Sequence, residues 1–197
     1  MHHIHHTPAL IFSARNSGEA DRIFTLYTRE LGLLRARASG VRKISSKLRY
    51  TLQEFSLLNA DLVRGKDAWR ITSAMPMKSF LKDGDMGAPR FSATHQIIAR
   101  ISSLISRLAN GEHAHPEIFD DLVRGFDSLH GATKEAQESI ELLLVLRVLH
   151  ELGYIGNQES LKEYLARDFD PSSLSTSILP RKNMLFEINR ALRESQM

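Results

Sequence analysis

The chain has 197 residues, of which 42% are hydrophobic, and it carries 26 Lys and Arg against 23 Asp and Glu, with no cysteine. That is enough apolar material to build one large domain or two small ones. The lack of cysteine excludes disulfides, thiol nucleophiles and Cys-type zinc sites.

The elements follow in order. Residues 8–14 alternate Ala9, Ile11 and Ser13 with Leu10, Phe12 and Ala14, which predicts a strand, and Asn16-Ser-Gly18 a turn. Ala20 to Arg29 predicts a second strand, with Phe24 and Leu26 on one face and Ile23, Thr25 and Tyr27 on the other. After a turn at Leu31-Gly32, a third strand places Leu33, Arg35 and Arg37 on one face and Leu34, Ala36 and Ala38 on the other. Gly40 permits a turn that a residue with a Cβ would resist, and Arg42, Lys43, Lys47 and Arg49 follow. Residues 45–50 suit one helical turn capped by a serine. Leu52 to Val63 is long for a strand and its apolar phase shifts midway, which predicts a bulge or sharp coil. Arg64-Gly-Lys-Asp67 predicts a tight hairpin leading to a strand over Ala68 to Ala74, with Trp69 and Ile71 inward and Arg70 outward. Met75-Pro76 is expected to end the sheet. Five short strands of this kind suit a small closed OB-type barrel over residues 1–80.

Residues 81–90 are rich in turn formers and read as a linker. The period then changes to 3.6. Phe91, Ile98, Ile101, Leu104, Ile105 and Leu108 form one helical stripe, stopped by Asn110-Gly111. A helix opened by Pro116 carries Ile118, Phe119, Leu122, Val123, Phe126 and Leu129 inward. A third starts after Thr133 and is apolar around most of its circumference from Ile140 to Leu152, as expected for the centre of a bundle. Asn157 is expected to cap a short helix holding Leu161, Tyr164 and Leu165, and Pro180 to open a last one holding Met184, Leu185, Ile188 and Leu192. The predicted class is therefore α+β multidomain: a five-stranded OB barrel followed by an all-α domain over residues 91–197.

Charge divides along the same line. Residues 1–82 hold 14 Lys and Arg against 6 Asp and Glu, a balance of +8; residues 83–197 hold 12 against 17, a balance of −5. The stretch from Leu34 to Arg49 concentrates six of these cations without an acidic residue. Such a run repels itself unless an anion lies nearby, and a row of Lys and Arg is the electrostatic footprint of binding to phosphates. The alternative is a solvated strand edge whose cations block edge-to-edge pairing. The setting inside a barrel, in the basic half of the chain, favours phosphate.

Other constellations are weaker. The histidines at positions 2, 3, 5 and 6 could ligate nickel or zinc, but a solvated strand start accounts for them better. His113 and His115 would need a third ligand. Trp69, Tyr27 and Phe55 could stack on bases, although the alternation puts Trp69 on the apolar face. No nucleophile elbow, dinucleotide fingerprint, P-loop or paired-histidine zinc motif occurs, so no enzyme and no cofactor are expected. The densest apolar run, residues 140–149, is broken by Glu141 and Arg147 and is too short for a membrane span. The N-terminus does not look like a signal peptide, so a cytoplasmic protein with no membrane partner is expected.

Several motifs together resemble a known family. The run from Gly18 to Gly32 leads into Ala38-Ser-Gly-Val-Arg-Lys43 and Lys47-Leu-Arg49, then Leu52-Gln-Glu-Phe55 and the hairpin at Arg64-Gly65. This order is similar to the N-terminal OB domain of the bacterial RecO family of DNA repair proteins. Leu143 to Tyr154 is similar to the family helix that ends in a "leu-gly-tyr" signature. The resemblance implies a non-catalytic recombination mediator of the RecF pathway that binds single- and double-stranded DNA and anneals strands. It implies RecR as a partner in replacing single-stranded DNA-binding protein by RecA. It carries DNA binding onto Arg37, Arg42, Lys43, Lys47 and Arg49; strand geometry extends the set to Arg35 and Arg70. The four-cysteine zinc module of many relatives has no counterpart, so no metal is expected, and the helical half is shorter than is usual in the family. Two other readings of the barrel are a protein-interaction adaptor and an RNA-binding module.

Overall fold

The structure, a computed structural model, describes residues 3–66, 68–81, 92–109, 111–156, 158–171 and 181–194. A five-stranded sheet comes first and helices follow. The chain divides into two compact units, residues 1–90 with 109–119, and residues 91–108 with 120–197.

In the first unit the strands are β1 (Ile4–Ser17), β2 (Asp21–Thr28), β3 (Gly32–Ala38), β4 (Ser56–Arg64) and β5 (Trp69–Ser79). Antiparallel ladders join β1 to β2, β2 to β3, and β4 to β5. A short parallel contact sets Ala36 beside Trp69 and Arg37 beside Arg70, and β4 pairs back onto β1 from Ile4↔Val63 to Leu10↔Leu57. The sheet therefore closes in the order β1-β2-β3-β5-β4. Its interior follows from the period-two pattern: Phe24 and Leu26, Leu34, Ala36 and Ala38, Leu58, Ala60 and Leu62, and Trp69 and Ile71 point into one core. Alanines at four inward positions, Ala9, Ala36, Ala38 and Ala60, leave room for the Phe24 and Trp69 rings.

Four local expectations change. The first strand begins at Ile4 and ends at Ser17, and Ala9 to Phe12 are all buried, so both of its faces are covered there. Phe12 and Tyr27 stack with centroids 5.6 Å apart outside the barrel core. The long strand expected over 52–63 is broken: Leu52 to Phe55 is a loop, Phe55 sits at φ +58°, and β4 starts at Ser56. The irregularities in the β4–β5 ladder fall between Leu57 and Leu58 and between Asp61 and Leu62. The register skips Met77 and Thr72, so the extra residues belong to β5. Met75-Pro76 does not end the sheet, since Pro76 pairs with Leu58 and β5 runs on to Ser79. Because β3 meets β5 only at two positions, one edge of β5 beyond Arg70 carries no strand, and proline is tolerated on such an edge. The single helical turn, α1 (Leu48–Thr51), has Lys47 at its N-cap and no side-chain cap, so no serine closes it.

The second unit is helical: α2 (Ala93–Leu108), α3 (Pro116–Ser128, its first turn belonging to the first unit), α4 (Lys134–Glu151), a 3-10 turn at Glu159–Leu161, α5 (Lys162–Leu165) and α6 (Arg181–Glu194). Thr133 caps α4 by accepting from the Ala136 amide at 3.3 Å. As its sequence implied, α4 is buried on most sides, through Ile140, Leu143, Leu144, Leu146, Val148 and Leu149. On α6 Met184 and Ile188 are buried, whereas Leu185, expected inward, is 46% exposed. Its position next to Met184 turns it off the buried stripe. Apart from Leu81, the linker expected at 81–90 lies outside the described residues, as do His2, Asp67, Phe91, Asn110, Asn157 and Pro180. Among the described residues no helix is long and apolar enough to cross a membrane.

Candidate nucleic-acid interface

The arginines of β3 are placed by alternation. Leu34, Ala36 and Ala38 face the core, so Arg35 and Arg37 are left exposed on the outside. Register sets Arg35 beside Thr25 and Arg37 beside Ile23 on β2, with Arg70 beside Arg37 on β5. Two like charges directly opposed destabilise a sheet, and Asp21 relieves this pair. One carboxylate oxygen accepts from Arg37 Nε at 2.7 Å, the other from the Gly40 amide at 2.7 Å. The Gly40 bond and then Arg37 hold the Asp21 carboxyl below its ordinary value, and the charge of Lys43 adds in the same direction. Lys43 is thus close to the end of β3, although no direct bond joins it to Asp21.

Beyond Gly40, which sits at φ +66°, the basic loop is a chain of turns. The Lys43 amide donates to the Gly40 carbonyl, Ser46 to Lys43, and Arg49 to Ser46, at 3.0, 3.0 and 3.3 Å. The Arg42 amide donates to the Ala20 carbonyl at 2.9 Å and its guanidinium to the Gly18 carbonyl at 3.0 Å. Val41 and Leu52 are buried in the barrel core and Leu48 packs against it. Those three apolar anchors fix the loop and turn its polar positions out, so Arg42, Lys43, Lys47 and Arg49 are all exposed.

Five of the seven predicted cations fall into two groups. Arg35, Arg37 and Arg70 stand on the outer face of the sheet. Arg42 and Arg49 line a cleft of about 270 Å³ with Asn16, Val41 and Arg22. Lys43, next to Arg42 in sequence, lies near Asp21, and Lys47 is exposed at the start of α1. Among the described residues only Arg37 of the seven has a carboxylate partner.

Arg22 was not among the residues expected. On β2 it shares the inward phase of Phe24 and Leu26, and its guanidinium lies over the Phe24 ring at 5.4 Å. Glu54 is 3.8 Å away, and the buried Nε has no hydrogen-bond partner among the described residues. A cation in the inward phase at the end of a strand was the available signal for it.

The three aromatics weighed for base stacking are all buried. Trp69 is 4% exposed and donates to Glu112 at 2.9 Å. Tyr27 is fully buried, which pushes its hydroxyl well above the usual range, and Phe55 is 8% exposed. The exposed ring of this region is Tyr50, at 76%. Of the histidines, His6 bonds Asp61 at 2.6 Å and His5 meets the Trp69 ring edge-on. Among the described residues no group of three His, Asp or Glu is placed to hold a metal ion.

Comparison with known proteins addresses the same half of the chain. The family model described as Recombination protein O N terminal matches residues 1–80. The chain is 35% identical over 152 residues to a DNA repair protein RecO of Heliobacterium modesticaldum, covering 77% of this chain and 52% of that protein. It is 30% identical over 154 residues to one of Desulfitobacterium hafniense, with the same coverage. With one of Dehalococcoides mccartyi it shares 31% over 160 residues, 80% of this chain and 58% of the relative. The chain spans little more than half the length of the curated relatives it matches. Residues 1–80 of this chain belong to the Recombination protein O N-terminal family.

Proposed function

We propose that the chain is a DNA-binding recombination mediator of the RecO kind, whose first unit is an OB barrel that holds DNA by its backbone. The observation that carries this reading is the convergence of Arg22, Arg42 and Arg49 on one cleft, beside a loop whose exposed cations have no acidic neighbour in sequence from Glu30 to Glu54. The closed strand order supports the OB assignment. The matched relatives, named as DNA repair proteins, support the biological setting.

The mechanism is charge neutralisation. Two strands held on one cationic surface repel each other less and meet at a higher local concentration, which is what annealing requires. No step breaks a covalent bond and no cofactor takes part. In this reading single- and double-stranded DNA bind through phosphates with little sequence preference. RecR, single-stranded DNA-binding protein and RecA are the protein partners, and the protein works in the cytoplasm at the nucleoid.

The test is a fluorescence anisotropy titration with labelled single-stranded oligonucleotides at several salt concentrations. Log affinity should fall with log salt by about 0.7 per phosphate contact. Replacing Arg42, Lys43 and Lys47 with alanine should flatten the slope by about two. Absent or salt-insensitive binding would overturn the reading in favour of a protein-interaction adaptor, and preference for a matched RNA would assign the barrel to RNA.

A further inference from the structure

The loop that carries the cations also carries the most exposed large apolar side chains among the described residues of the first unit. Ile44 is 87% exposed and Tyr50 76%. Single exposed apolar residues are ordinary on a protein surface. Here their setting distinguishes them. The loop has apolar anchors of its own in Val41, Leu48 and Leu52, so it needs neither Ile44 nor Tyr50 to hold it against the barrel. Both stand among Arg42, Lys43, Lys47 and Arg49, and the Arg49 guanidinium lies over the Tyr50 ring at 6.0 Å. The Gln53 side chain donates to the Arg49 carbonyl at 2.7 Å and the Leu52 amide to the Leu48 carbonyl at 2.9 Å, so the turn presenting the ring is ordered.

A flat ring beside a guanidinium on a cationic surface has a particular complement: a chain of phosphates with unpaired bases. Phosphates take the cations, and a base whose face is free stacks on the ring. In a duplex the base faces are covered by their neighbours, so the ring finds only the phosphates and sugars. We propose that Tyr50 is a base-stacking platform for single-stranded DNA, with Arg49 holding an adjoining phosphate and Ile44 adding apolar contact along the strand. The proposal rests on the DNA-binding reading and adds what the cations alone do not supply: a direct contact to bases, and with it a preference for unpaired strands.

The experiment compares three labelled probes by anisotropy with the full chain: a single-stranded oligonucleotide, an abasic oligonucleotide of the same length, and a blunt duplex. Stacking is worth about 1–3 kcal/mol per base, or roughly 5- to 150-fold in affinity. Tyr50→Ala should therefore weaken binding of the base-bearing single strand by at least about fivefold, with the salt slope unchanged. Binding of the abasic strand and of the duplex should stay as in wild type, and Tyr50→Phe, which keeps the ring, should behave as wild type throughout. Equal weakening of base-bearing and abasic strands, or no weakening of either, would overturn the proposal while leaving phosphate binding intact. Salt-insensitive binding of every probe by the wild-type chain would instead remove the DNA-binding reading and this inference with it. Unchanged emission of Trp69 in the variants checks that the barrel is still folded.

Discussion

Asp21 joins the end of β3 to the start of the basic loop by holding the Arg37 guanidinium on one carboxylate oxygen and the Gly40 amide on the other, each at 2.7 Å. Of the predicted cations Arg37 is therefore the one already neutralised by protein. Asp21→Asn keeps an oxygen for the Gly40 amide but removes the charge that competes with phosphate. Single-stranded DNA should bind it more tightly at low salt, with the log affinity against log salt slope steeper by up to about 0.7, the share of one added contact. Weaker binding with a flatter slope would show that Arg37 serves only the fold.

The same carboxyl sets a pH dependence. It is held below the ordinary value of 3.8, first by the Gly40 amide and then by Arg37, so its ionised form is favoured in the folded chain. That contribution is fully present above the unfolded value and is lost as pH falls through the lowered folded value. The stability difference between wild type and Asp21→Asn, measured by urea unfolding, should be largest near neutral pH and shrink below pH 3.8. A difference that stays constant into acid would mean the Asp21 charge does not stabilise the fold.

The parts of this architecture legible in the sequence are those that local periodicity controls. Leu34, Ala36 and Ala38 alternate with Arg35 and Arg37, so a strand with an arginine face was readable. Residues 140–152 are apolar around most of the helix circumference, and α4 is buried on most sides accordingly. What long-range pairing decides was not readable. Nothing local shows that β5 continues through Pro76, because its tolerance there depends on how little of β3 lies alongside. Nothing near Phe55 announces its positive φ. Alternation alone puts Arg22 in phase with Phe24, but its meeting with Arg42 and Arg49 on one cleft needs the closed sheet, and Tyr50 reads as one more aromatic until the anchors around it are seen to be Val41, Leu48 and Leu52. The placement of residues 109–119 with the sheet unit, far from it in sequence, has no local signal.

That placement predicts an intolerant glycine. Gly32 sits at φ +71°, and a Cβ built on it would lie 2.1 Å from the His113 carbonyl oxygen, with the Leu33 amide donating to Gly111 beside it at 3.1 Å. Gly32→Ala must both strain its backbone and push the 109–119 segment away, at about 2–4 kcal/mol. Gly18→Ala is the control: φ is +65° but nothing lies within 4 Å of the added carbon, so only the conformational cost of about 1 kcal/mol applies. Equal urea midpoints for the two variants would contradict the packing described.

The chain's single tryptophan reports on the same contact. Glu112 accepts from Trp69 Nε1 at 2.9 Å and from Arg64 Nη1 at 2.7 Å, and the Arg64 guanidinium lies 5.5 Å from the indole centroid. Glu112→Ala leaves the buried indole N–H without its acceptor. Because Glu112 is itself partly exposed, water takes over part of its role and the expected loss is about 1 kcal/mol. Trp69 emission should shift to longer wavelength as water reaches the ring. Unshifted emission would mean that the Trp69 N–H does not depend on Glu112.

In the helical unit an ion pair is buried. Arg147 interrupts the apolar run of α4 and is buried, donating to Asp121 at 3.0 Å and to the Arg167 carbonyl, with its guanidinium 4.6 Å from the Phe169 ring centroid. Asp121 also accepts from the exposed Arg124 at 2.6 Å. Removing one partner of a buried pair costs about 3–5 kcal/mol. Arg124 would still neutralise Asp121 in Arg147→Ala, so the lower end of that range is expected. Arg147→Lys keeps the charge but has no planar fork to span both the carboxylate and the carbonyl, and it should fall between wild type and alanine. In a double-mutant cycle with Asp121→Ala, the pair should show a coupling of about 1–3 kcal/mol. If the two losses simply add, Arg147 is held by the Arg167 carbonyl and the Phe169 ring, and the ion pair is incidental to the unit's stability.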